Sequence, residues 1–101
     1  MNNYIISYDI SNDKLRQKIS KLLTQKGCSR LQKSVHLAPK FSVKELEQLK
    51  NALQPLMSML DPVSDSVMCI TAPDSDMEKA YWHGSVETWK SITEPPLFDI
   101  L

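Results

Sequence analysis

Glycine is scarce in this 101-residue chain, which holds only Gly27 and Gly84. That scarcity excludes a glycine-rich phosphate loop, which needs several glycines in one turn. Cysteine is equally rare, and Cys28 and Cys69 form neither a CxxC pair nor a disulfide framework. Both are expected to be small buried residues. No apolar run is long enough to cross a bilayer. Tyr4 to Tyr8 is too short for the apolar core of a signal peptide and has no basic leader. The expected location is therefore the cytoplasm, away from membrane. His36 and His83 lack ligand-spaced companions, which argues against zinc. No Ser-His-Asp or Cys-His arrangement is legible either.

Net charge is absent overall, with 12 basic and 12 acidic residues. The distribution is uneven. Residues 1–50 hold ten Lys or Arg against four acids, and residues 51–101 hold two Lys against eight acids. An anion-facing first half and an acidic second half follow from that split.

What is present reads as one small α+β domain. Tyr4 to Ile10 alternates as a strand, with Tyr4, Ile6, Tyr8 and Ile10 on one face and Ile5, Ser7 and Asp9 on the other. Ser11 or Asn12 can cap a helix in which Leu15, Ile19, Leu22 and Leu23 form one stripe, and Gly27 can stop it. Ser29 to Leu37 alternates again, placing Leu31, Lys33, Val35 and Leu37 opposite Arg30, Gln32, Ser34 and His36. Pro39 is expected to end or bend this stretch, which is one bent strand or two short ones. Ser42-Val43-Lys44-Glu45 is a capping box that opens a second helix, and Pro55 should kink or end that helix near Ala52. Asp61-Pro62 signals a turn, Ser66 to Ala72 a further strand, and Lys79 to Trp82 a short last one. Val86, Trp89 and Ile92 suit a short helix before Pro95-Pro96. The expected fold is a ferredoxin-like β-α-β-β-α-β sandwich, with two helices on one face of a small antiparallel sheet. Residues 1–84 would form that domain and residues 85–101 a C-terminal extension.

Asp9 is the sharpest chemical candidate, because it ends a buried strand just before a helix start. One carboxylate holds Mg²⁺ weakly, since Mg²⁺ takes one or two carboxylates with waters and phosphate oxygens. A two-fold dimer meeting at the Asp9 face would bring two such acids together. Arg16, Lys18, Lys21, Arg30 and Lys33 are the phosphate candidates, Arg as a planar fork and Lys as a point charge. Tyr8 suits the core, and Trp82 and Trp89 suit core or interface positions.

Tyr-Ile-Ile-Ser-Tyr-Asp-Ile-Ser-Asn-Asp-Lys at 4–14, the helix from Arg16 to Leu23, and Arg30-Leu31-Gln32-Lys33-Ser34-Val35 together resemble the small CRISPR-associated Cas2 family. The resemblance is best across residues 4–37, thinner over the second helix and third strand, and poor after Ala72. It implies a homodimeric partner of the Cas1 integrase in spacer acquisition, binding the duplex DNA backbone. It implies that Asp9 faces its two-fold mate as the Mg²⁺ ligand. It also implies that Tyr8, Arg16 and Arg30 stand at positions linked to nuclease activity in some members, on RNA or duplex DNA, and that Lys18 is a second basic contact. Other members of that family serve as scaffolds, so the resemblance leaves catalysis open. His36 departs from the pattern, which has Phe after Ser-Val, and offers a ring for stacking at the dimer face. The alternative is a toxin-like endoribonuclease of the virulence-associated family that shares the fold. In the tail, Leu97, Phe98 and Ile100 are expected to bind a partner by adding a strand to a sheet edge.

Overall fold

The computed structural model describes residues 1–93, with side chains through residue 90. The element order is β1 (Asn2–Asp9), α1 (Asp13–Gln25), β2 (Ser29–Gln32), β3 (Val35–Phe41), α2 (Val43–Met57), β4 (Ser66–Thr71), α3 (Asp74–Glu78) and α4 (Val86–Thr93). The first six give the expected β-α-β-β-α-β sandwich. The four strands form one antiparallel sheet in the order β2-β3-β1-β4, so β1 lies between two partners. None of the helices among the described residues is long and apolar enough to cross a membrane.

The alternation of β1 decides what the sheet covers. Ile6 and Tyr8, with Ile10 just beyond, are buried against Leu15, Ile19 and Leu23 of α1 and Leu49 and Leu53 of α2. Each such side chain contributes about 1.5–3 kcal/mol on full burial. The other face carries Ile5, Ser7 and Asp9, paired across β4 with Ile70, Met68 and Ser66. Met68 and Ile70 remain 53% and 48% exposed there.

Both main helices begin and end on the chemistry in their sequences. The Asn12 side chain accepts from the Leu15 N–H at 2.9 Å and caps α1. At its other end Cys28 N–H reaches the Leu23 carbonyl and Gly27 N–H reaches Thr24, with Gly27 at φ 96°. This is a left-handed C-terminal cap, which glycine adopts without strain. Ser42 and Glu45 close the capping box of α2 at 3.1 and 3.0 Å.

Four expectations need correction. The stretch from Ser29 is two short strands, one of the two arrangements expected, but the break falls at Lys33-Ser34 and not at Pro39. Pro39 lies inside β3, where a missing N–H would ordinarily break the ladder. A bulge accommodates it: Asn2 pairs with Phe41 and Tyr4 with Ala38, leaving Pro39 and Lys40 opposite Asn3 alone. Lys40 takes φ 50°, and its N–H donates to Asn3 Oδ1 at 2.9 Å. Asn3 Nδ2 donates in turn to Asp74 Oδ1 at 2.7 Å, which fixes the start of α3. Pro55 does not end α2, which runs on to Met57. It falls in the last turn, and the half-buried Leu56 and Met57 beyond it pack on the core. No strand forms at Lys79 to Trp82; the residues just before it, Asp74–Glu78, wind into α3. Cys28 is buried as expected, with burial pushing its thiol up to about 11, but Cys69 is exposed on the outermost strand.

The expected helix near Trp89 is α4, which packs near β2. Trp82 and Trp89 stack at 5.3 Å, and Trp82 Nε1 donates to the Ser85 carbonyl at 3.0 Å. Leu97, Phe98 and Ile100 lie outside the described residues.

His36 is the unusual core residue. It pairs with Ile6 on the helix-covered face, is wholly buried, and stacks on Tyr8 at 5.7 Å with 30° between the rings. The dimer face expected for it is the opposite one. Both ring nitrogens lack a hydrogen-bond partner. Burial, and then the nearby Arg30 charge, hold its pKa below the usual 6.5.

Two outcomes follow for stability. Asn3→Ala removes two hydrogen bonds and leaves the Lys40 N–H unpaired, so urea unfolding should show a loss of about 2 kcal/mol with an unchanged slope. His36 binds protons more weakly folded than unfolded, so its contribution falls as pH drops below the unfolded value of 6.5 and levels off below the folded one. His36→Phe should raise stability by about 1 kcal/mol at neutral pH, by removing unpaired buried nitrogens, and should flatten that acid-side decline. Urea midpoints across the acid range check both parts.

Candidate nucleic-acid interface

At the Asp9 end of the sheet, β1, α1 and the β2–β3 turn meet around an open groove of about 200 Å³. Tyr8, Arg16, Gln17, Ser20, Lys21, Arg30 and Lys33 line it. Four of these side chains are cationic and none is acidic.

The turn is held from β1. Tyr8 N–H donates to the Ser34 carbonyl at 3.0 Å, and Tyr8 Oη to the Lys33 carbonyl at 3.4 Å. The Arg30 guanidinium donates to the same Lys33 carbonyl at 3.0 Å and to Gln32 at 3.4 Å. These bonds fix the fork of Arg30 at the groove wall. Arg16 enters from the first turn of α1, where Asp13 pairs with it at 2.6 Å and the Ile10 carbonyl accepts from it at 3.4 Å. The Asp13 pair is exposed on its acid side, so solvent screens it and the guanidinium keeps an open edge for an anion. Ser20 and Gln17 add neutral donors. A groove of fixed cations and donors, without a carboxylate, suits phosphate oxygens.

The structure therefore brings together Tyr8, Arg16, Lys21, Arg30 and Lys33. It leaves out two of the expected residues. Lys18 lies on the exposed face of α1 with Lys14, one turn away, outside the groove lining. Asp9 points to the other face of the sheet, because alternation sends it opposite to Tyr8, and it is exposed there beside Ser66. Beside that strand end, Asp65 accepts from the Ser11 N–H at 3.0 Å and the Ser11 hydroxyl at 3.1 Å. These bonds hold the Asp65 carboxyl below its usual pKa. They tie the β1–α1 loop to the loop before β4. Among the described residues no group of three His, Cys, Asp or Glu could hold a metal ion.

Gln17 and Ser20 were not singled out in the sequence. Ser20 stands four residues after Arg16 and Gln17 four before Lys21, so helical spacing puts each beside a groove cation.

Comparison with known proteins follows the same lines. The family described as "CRISPR associated protein Cas2" matches residues 1–80. A protein of Aeropyrum pernix named CRISPR-associated endoribonuclease Cas2 is 36% identical over 89 residues, covering 87% of this chain and 92% of that one. Among solved structures, the hypothetical protein TT1823 of Thermus thermophilus superposes with a TM-score of 0.59 at 30% identity, over 69% of this chain and 79% of that one. The Cas2 of Streptococcus pyogenes superposes with a TM-score of 0.64 at 20% identity, over 81% and 99%. A chain of a partial Cas6-RT-Cas1–Cas2 complex does so with a TM-score of 0.68 at 20% identity, over 87% and 93%. The sandwich of β1 to β4 is thus the fold of these proteins, and the chain belongs to the CRISPR-associated Cas2 family.

Proposed function

We propose that this chain acts as a dimeric, backbone-binding subunit of CRISPR spacer acquisition, holding duplex DNA through the basic groove and linking to a Cas1 integrase. The observation that carries the reading is the groove itself, lined by four cationic side chains from α1 and the β2–β3 hairpin and by no acid. Lys14 and Lys18 extend the positive surface along α1. Recognition of this kind reads phosphates rather than bases, so it tolerates any sequence and falls steeply with salt. The Cas1 partner is supported by family membership and by the complex to which one superposing chain belongs.

The second copy of the chain fits the sheet face away from the helices. Ile5, Val35, Leu37, Met68 and Ile70 share that face, and two of them are half exposed. Stacking two such faces would cover this apolar surface and set two Asp9 carboxylates near one axis. That pair would hold Mg²⁺, which when bound polarises a phosphoryl oxygen and lowers the pKa of a bound water.

A second reading, endonuclease activity on RNA or DNA, is favoured by the name of the Aeropyrum relative. In it Tyr8 and Arg30 would orient the phosphate from the groove. Family membership favours either reading over the toxin-like alternative.

Duplex affinity of the purified protein, measured against salt, tests the binding reading. Arg16→Ala and Arg30→Ala should each weaken binding across all sequences and lower the salt slope by about 1. Unchanged affinity and slope would sink it. For the nuclease reading, Asp9→Asn should abolish Mg²⁺-dependent cleavage while duplex affinity survives. Cleavage that persists in this variant removes Asp9 from the chemistry.

A further inference from the structure

Directly behind the groove lies the one buried side chain, among the described residues, whose nitrogens have no partner. His36 contacts the groove through two of its walls. Its ring stacks on Tyr8, and it sits opposite Arg30 in the β2–β3 register. Both neighbours line the groove. An imidazole placed so close to a phosphate-sized cationic groove, without a hydrogen bond of its own, is poised to change charge when the groove fills.

We propose that His36 is a positioning residue of the groove that couples nucleic-acid binding to uptake of one proton. The proton comes from solvent and enters the imidazole when a phosphate occupies the groove. The imidazolium then holds the Tyr8 ring by a cation–π contact and keeps its hydroxyl at the Lys33 carbonyl.

The electrostatics give the sign. In the free protein the buried imidazole is kept neutral by desolvation and by the Arg30 charge. Arg30 and Lys33 from the β2–β3 hairpin and Arg16 and Lys21 from α1 surround the groove beyond Tyr8, and all are positive. α2 turns Leu49 and Leu53 to the core, and its Lys50 pairs with Glu47 on the surface at 3.6 Å. From β4, Cys69 shares the covered face through its pairing with Ile6. The carboxylates on these elements are taken up elsewhere, Asp13 by Arg16 at 2.6 Å and Glu47 by Lys50, while Arg30 donates to the neutral carbonyls of Gln32 and Lys33. A phosphate in the groove offsets the Arg30 field, so the imidazolium costs less in the bound state. Stacked at 5.7 Å, the Tyr8 ring then attracts the new charge. Binding therefore takes up a proton, and affinity rises as pH falls through the bound-state titration of His36. Above that range the effect vanishes.

The coupling rests on the groove holding phosphate, so the experiment separates the two. The chain has only two histidines, His36 and His83, which makes imidazole NMR simple. The full-length protein is titrated from about pH 8 to about pH 5.5 with and without a duplex DNA oligonucleotide. His36 should titrate below the ordinary histidine range alone and higher with duplex. Duplex affinity at fixed ionic strength should rise as pH falls, about tenfold for each pKa unit His36 gains. His36→Phe should lose the part of that rise which the His36 shift accounts for. Wild-type NMR needs no variant, so a poorly folded His36→Phe leaves the result intact. An imidazole titration that duplex does not move, with binding still weakened by Arg30→Ala, overturns the coupling alone. Arg30→Ala that binds as tightly as wild type overturns the groove reading and the coupling with it.

Discussion

Everything in this molecule depends on β1 being an inner strand with a strict two-residue period. Its pairing with β3 and β4 on either side fixes its twist and register. Side chains then have only two directions to take. Ile6 and Tyr8 go under the helices; Ile5, Ser7 and Asp9 go to the open face. A slip of one residue would exchange the two sets and destroy the core at once. The placement of Tyr8 and Asp9 is thus protected by the hydrophobic energy of the whole domain.

That constraint separates two kinds of chemistry by the thickness of one sheet. Cations gather on the side of α1 and the hairpin turn. The strand-end acid Asp9 stands on the other side, exposed beside Ser66. The cationic groove is formed within one chain, and Asp9 lies outside its lining.

Much of this was legible in the sequence, for a definite reason. β1, α1 and both helix caps are set by local patterns, namely alternation, a leucine stripe, Asn12, Gly27 and the Ser42–Glu45 box. These signals need no knowledge of neighbours, and all of them held. Other features required a second element. Pro39 reads as a strand breaker unless Asn3 is known to lie opposite it and to receive the Lys40 N–H. The turn at Lys33-Ser34 carries no glycine or asparagine to announce it, because Tyr8 and Arg30 hold it from outside. Lys79 to Trp82 alternates weakly, and among the described residues no strand pairs with it. For the groove, the residue types were readable but not their meeting place. Arg16, Lys21, Arg30 and Lys33 come from two elements joined only by the packing of α1 on the sheet. His36 was noticed as a departure, yet its face could be assigned only once the hairpin register was known.

The stacked tryptophans have a practical side. Trp82 and Trp89 are the only two indoles in the chain, and both lie beyond the four-stranded sheet, near β2 rather than in the α1–α2 core. Ultraviolet emission from this protein is therefore a gauge of the α4 segment. Backbone circular dichroism follows α1 and α2 instead. Where the two signals part on heating, the carboxyl-terminal helix is leaving the sheet before the sandwich melts, and a coupled indole pair reports that departure as a vanishing exciton band.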